Sequence, residues 1–197
     1  MRLELPPGGA VSEAMLSERL GIGRTPIREA LQRLARERLV QILPRRGVIV
    51  SDINVKAQLR LLEVRREIER LVARSAARRA TPEERARFAA LAAGFERTAR
   101  TGDDVTFLRM DREFNELCLA AARNEFATTA MQLMASLSRR FWYLHYKQAA
   151  DLPETAQLHA DFARGIADGD ADAAGRAADA LLDNIETFTR NTVTTDF

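Results

Sequence analysis

The punctuation between Ser12 and Val50 limits this chain more than any other feature. Ser12 to Leu20 has the length and spacing of a short helix, and Gly21-Ile22-Gly23 breaks it. A second helix opens at Arg24-Thr25-Pro26, where Thr25 has the hydroxyl an N-cap needs and Pro26 suits the first helical position. Ile27, Leu31 and Leu34 fall on one face of that helix, and Arg24, Arg28 and Arg33 on the other. A mostly apolar run from Leu39 to Leu43 follows, then Pro44-Arg45-Arg46-Gly47, then Val48-Ile49-Val50. That order predicts a hairpin with two arginines at its tip and a glycine that allows close approach of backbone. Two short helices and a basic hairpin in this order form a winged helix-turn-helix.

Charge supports a partner for this segment. Formal net charge is only +2 over 197 residues, so no uniform basic coat exists. Over residues 1–54, however, nine arginines face six acids, leaving the remainder slightly negative. A basic helix and a basic wing suit one element in the major groove of a DNA duplex and one on the adjacent backbone. Arg24, Thr25, Arg28, Arg33, Arg45, Arg46 and Gly47 are the candidate DNA-contact residues. Arg33, like Arg36, could equally be a solvated side chain.

Beyond Ser51-Asp52-Ile53-Asn54 the sequence turns alanine-rich with helical periodicity throughout. Val55 to Arg79 is one long amphipathic stretch, and Thr81-Pro82-Glu83-Glu84 is a capping box opening the next helix. Gly102-Asp103-Asp104, Asn124, Asp151-Leu152-Pro153 and Gly169-Asp170 punctuate the rest, the last helix ending near Arg190 and residues 191–197 fraying. The expectation is a mainly α chain: a winged helix-turn-helix over residues 1–54, then an all-helical bundle of about six helices over residues 55–190. Cys118 is the single cysteine and sits in an apolar pattern, so no intrachain disulfide forms. Without a signal peptide or a run of about 18 apolar residues, the reading is a cytoplasmic protein that does not engage membrane.

These residues resemble the GntR family of bacterial transcription regulators, in its FadR-like branch, which joins a winged helix to a helical FCD effector domain. The resemblance runs through Pro7-Gly8, Val11-Ser12-Glu13, Leu20-Gly21-Ile22, Arg24 to Leu31 and Pro44 to Val48. It continues through Glu63-Val64-Arg65, Glu69, Asp111 to Asn115, and His159 to Asp170. It implies a homodimer that binds a palindromic double-stranded operator and answers to a small carboxylate metabolite. Four departures stand out: only Met1 to Leu5 precede the Pro-Gly turn, where relatives carry an extra helix that here is expected to be missing. Gly23 stands where Ser or Thr is frequent, Ala14 where some relatives have a DNA-contacting arginine, and Arg38 where glycine is frequent.

The resemblance also implies a pocket. Its metal positions, one Asp and three His in many members, fall here on Asp111, Asn115, His159 and Leu181. Leu181 cannot bind a metal and Asn115 is a weak neutral ligand, so Asp111 and His159 form an incomplete set for Zn or Ni. The expectation is that no cofactor is required, and that Arg65, Asp111, Asn115, His159 and Asn184 hold the effector by direct hydrogen bonds. A metal-dependent sensor is the alternative. His159 could also be a satisfied core histidine, Arg65 a salt-bridge partner of Glu69, and His145 a further lining group. An enzyme is disfavoured, since no Ser-His-Asp set, His-Glu-x-x-His or phosphate-binding glycine loop occurs.

Overall fold

A computed structural model describes residues 4–44, 47–149 and 151–194, excluding the side chains of residues 146–149, 193 and 194. Helix α1 (Glu13–Leu20) starts where the Ser12 hydroxyl accepts the Met15 N–H at 3.1 Å, and stops at Gly21, whose φ is 67°. Helix α2 (Arg24–Arg36) begins earlier than a Thr25 cap requires. Its N-cap is Gly23, in extended conformation and without a side-chain cap bond, so Thr25 and Pro26 stand inside the first turn. Pro26 is tolerated there because the first N–H groups of a helix lack intrahelical acceptors in any case.

Strands β1 (Ala10–Val11), β2 (Val40–Leu43) and β3 (Gly47–Val50) form an antiparallel sheet in the order β1-β3-β2. Ala10 faces Ile49, and Val40 faces Val50. The wing is therefore present, and Gly47 at its base has φ 89°, a conformation glycine reaches without a Cβ clash. The tip residues Arg45 and Arg46 lie outside the described residues. Two residues of β1 are too short to show an alternation in sequence, so this third strand was not foreseen. Val11, Leu16, Ile27, Leu31, Val40, Val48 and Val50 close a small core beneath the recognition face.

The second body is built from α3 (Val55–Arg79), α4 (Pro82–Thr101), α5 (Asp104–Ala122), α6 (Glu125–Ala149), α7 (Leu152–Asp168) and α8 (Ala171–Thr194). The predicted capping box forms, with Thr81 and Glu84 exchanging hydrogen bonds at the start of α4. Helix α8 runs past Arg190 because Thr192 is buried and its hydroxyl donates to the Thr189 carbonyl at 2.8 Å; burial outweighs the fraying expected there. Gly165 lets α7 meet α8 closely: a Cβ at that position would lie 2.8 Å from the Ala174 nitrogen. The core is aromatic at its centre, with Phe114 edge-on to Phe88, Phe95 and Phe162, and Cys118 buried among them. Among the described residues, no helix is long and apolar enough to cross a membrane.

The two hydrophobic cores share no residue. One buried side chain ties the bundle to the segment after the wing. Arg140 of α6, 6% exposed, donates from Nη2 to the Ser51 carbonyl at 2.6 Å.

Candidate functional site

The apolar stripe of α2 is buried through Ile27 and Leu31, which turns the opposite stripe to solvent. Arg24, Thr25, Arg28 and Arg33 are all exposed. They are not equivalent. Arg33 pairs with Glu37 one turn on, at 3.1 Å, in a solvated contact. Arg28 is gripped from α1: its Nε donates to Glu13 Oε1 at 2.9 Å and its Nη2 to Glu13 Oε2 at 2.8 Å. The Arg28 hydrogen bond, with the nearby charges of Arg28 and Arg24, outweighs the small burial of Glu13 and holds its carboxyl below the usual range. No helical spacing pointed to Glu13 as the partner of Arg28, because it lies fifteen residues away on a different helix.

Of the five side chains expected in the bundle's pocket, Asp111, Asn115 and His159 meet directly, while Asn184 bonds to Thr155 and Arg65 to Glu69. Asp111 and Asn115 share one face of α5, and the Asn115 amide donates to the Asp111 carbonyl at 2.7 Å and to Oδ1 at 2.9 Å. His159 of α7 reaches the same Oδ1 through Nε2 at 3.1 Å, while its Nδ1 lies 2.8 Å from the Thr155 carbonyl. The Thr155 hydroxyl donates to Asn184 Oδ1 on α8 at 3.2 Å. Arg65 on α3 forms the expected ion pair with the buried Glu69, and its charge also acts on Asp111. Thr155 was not among the expected residues, although its place four before His159 is where a helical side chain bonds back to the carbonyl.

His159 is 5% exposed and ringed by Phe95, Phe107 and Phe114 at centroid distances of 5.1, 5.2 and 5.8 Å. Both of its nitrogens face oxygen acceptors. Both contacts are hydrogen bonds when the ring carries two protons and Asp111 is ionised. Burial pushes the Asp111 carboxyl up, but the hydrogen bond and charge of His159, the charge of Arg65 and the Asn115 amide outweigh it and hold the group below the usual range. The Cys118 thiol is pushed well above its ordinary value by burial first and then by Glu69 and Asp111, so it is a neutral packing group.

The donor set does not fit a tightly held transition metal. Asp111 and His159 are 3.1 Å apart, but Asn115 offers an amide and Leu181 is a buried apolar side chain. Among the described residues, no group of three His, Cys, Asp or Glu side chains is arranged to hold a cation. His145 lies against Phe141 on α6, with ring centroids 4.7 Å apart. Two open grooves lie elsewhere: one of about 750 Å³ lined by Asn54, Lys56, Leu59, Arg60 and Arg190, and one of about 250 Å³ between Arg87, Gly94, Arg109 and Glu113.

Known proteins share both halves of this arrangement. Residues 1–50 match the bacterial regulatory proteins of the gntR family, and residues 60–184 match the FCD domain. The chain is 27% identical over 190 residues to the HTH-type transcriptional repressor RspR of Escherichia coli (strain K12), covering 94% of this chain and 82% of that protein. A regulator in an unstable DNA locus of Streptomyces ambofaciens is 48% identical over 54 residues, 27% of this chain and 23% of that protein. Among solved structures, E. coli McbR/YncC superposes with a TM-score of 0.77 at 19% identity, over 95% of this chain and 89% of that one. The exposed basic stripe of α2, the wing and the helical bundle thus have one common explanation: the chain belongs to the GntR family, carries an FCD domain, and is a DNA-binding transcriptional regulator.

Proposed function

We propose that operator affinity in this regulator is set by a small carboxylate metabolite bound in the bundle without a metal. The observation that carries this reading is the polar chain Asp111–His159–Thr155–Asn184 inside a phenylalanine-rich core. Buried polar groups are costly unless paired, and an apolar core of this size has no structural need of them. Asp111 keeps about a third of its side chain exposed, so a ligand reaches the chain from that end. An arriving carboxylate competes with Asp111 for the contact at His159 Nε2 and with Glu69 for the Arg65 guanidinium. Asn115 and Asn184 supply neutral hydrogen bonds that fix its orientation.

At the other end Arg24, Thr25 and Arg28 meet base edges and phosphates while the wing follows the neighbouring backbone. A homodimer places two such helices on a palindromic site, and Val64 and Leu71, both exposed and two turns apart on α3, give apolar surface for the pairing. The Arg140 bond to Ser51 is the mechanical connection through which a shift in the bundle moves the winged helix. Coupling of this kind is worth about 1–3 kcal/mol.

The test uses purified protein, small mono- and dicarboxylates, and their uncharged amides. A matching acid at about 100 times its Kd raises stability by about 2.7 kcal/mol and changes operator affinity, and the amide does neither. Equal effects from acid and amide, or stabilisation that appears only with added Zn or Ni, would refute direct carboxylate recognition.

A further inference from the structure

We infer that Glu13 is a positioning residue for base reading: it fixes the Arg28 guanidinium by one edge and leaves the opposite fork free for a guanine. The inference rests on the proposed entry of α2 into the major groove. Arginine carries five N–H donors in a rigid plane. Glu13 takes the Nε–H and one Nη2–H, at 2.9 and 2.8 Å, which is the side edge of the group. The two Nη1–H and the second Nη2–H remain, and that Nη2–H with the adjacent Nη1–H forms the end-on pair that suits guanine O6 and N7. Arg28 keeps 62% of its side chain exposed, and Glu13, at 32%, reaches it from the first turn of α1. A free arginine at this position would sample many rotamers; one held bidentately at a carboxylate loses little further entropy on meeting a base.

The pair also alters the electrostatics. With a carboxylate at hydrogen-bond distance on both atoms, the Arg28–Glu13 pair as a whole carries no net charge, which weakens the pull of Arg28 on a phosphate. Its contribution to non-specific, salt-dependent affinity is therefore small, and Arg24, exposed and without such a clamp, supplies more of that attraction. Glu13 in effect divides the recognition helix between one arginine for the backbone and one for the base.

The experiment first selects an operator from a random duplex library with the wild-type protein. Binding to that operator and to a scrambled duplex is then followed by fluorescence anisotropy between 50 and 200 mM salt. R28A should lower the operator-over-scrambled preference by roughly 5- to 150-fold with little change in salt slope. E13Q should tighten binding to the scrambled duplex, steepen the slope of log K against log salt by up to about 0.9, and lower the preference. In an R28A background E13Q should do none of these. E13D keeps the charge but shortens the reach, and should lose preference at unchanged slope. Replacing the selected guanine by 7-deazaguanine should weaken the wild type and leave R28A unaffected.

If E13Q acts equally with and without Arg28, Glu13 merely repels phosphate and the inference falls. It also falls if E13Q and E13D both match the wild type, whatever they do to thermal stability as first-turn acids of α1. A wild type that selects no sequence removes the major-groove reading itself, and this inference with it. A selective wild type indifferent to Glu13 removes the inference alone.

Discussion

Changing Asp111 to Asn tests the contact at the centre of the buried polar cluster. The substitution keeps shape and hydrogen-bonding capacity but removes the charge facing His159 Nε2 at 3.1 Å. Breaking a fully buried ion pair costs about 3–5 kcal/mol, while a hydrogen bond to a charged group is worth about 1.5–3. His159 is buried, but Asp111 keeps 36% of its side chain exposed, so solvent screening moves the expectation to the lower range, about 2 kcal/mol. Unfolding entropy of about 2.1 cal/mol/K per residue makes that a fall of roughly 7 °C in the Tm of a helical body of this size. The sign of the pH dependence follows from the carboxyl's depressed titration. Its stabilisation is fully present above the ordinary aspartate value of about 3.9 and is lost as pH falls through the lower folded value. Calorimetry should therefore show the wild type above D111N at pH 5 and 6, with the gap closing in stronger acid. A D111N protein that melts with the wild type at pH 6 would refute the paired arrangement.

Two further outcomes are expected. Arg140→Met removes the Ser51 contact while preserving much of the side-chain volume; faster amide exchange at residues 51–58 and weaker effector–operator coupling should follow, with the melting of the bundle little changed. Arg38, exposed and held at φ 59° by the Leu39 N–H bond to the Leu34 carbonyl, bears the strain of a side chain in a left-handed turn. Arg38→Gly should relieve about 1 kcal/mol of it, read as a higher melting temperature of the winged helix.

Much of this was legible in the sequence because it is encoded locally. Pro26 and the glycines at 21 and 23 mark the helix-turn-helix, Gly47 marks the wing, and the Thr81-Glu84 box marks the start of α4, each through contacts spanning a few residues. Helical periodicity placed Asp111 and Asn115 on a common face for the same reason. The resemblance to a known family located His159, which no periodicity links to α5, and Asn184 came from its place about one turn past Leu181. The Thr25 cap failed because two neighbouring residues can each end a turn, and the backbone of Gly23 does so without a side chain.

What sequence by itself determined is which stripes must be buried and where the chain must turn, since apolar spacing and backbone sterics act at short range. Only the tertiary structure decided the partners of charged side chains: that Glu13 holds Arg28, that Arg140 reaches Ser51, and that the His159 ring is saturated by Thr155 and Asp111. Ion pairs and hydrogen bonds across elements depend on how helices cross and which rotamers remain. The number of arginines and carboxylates that could meet is large, and packing selects among them.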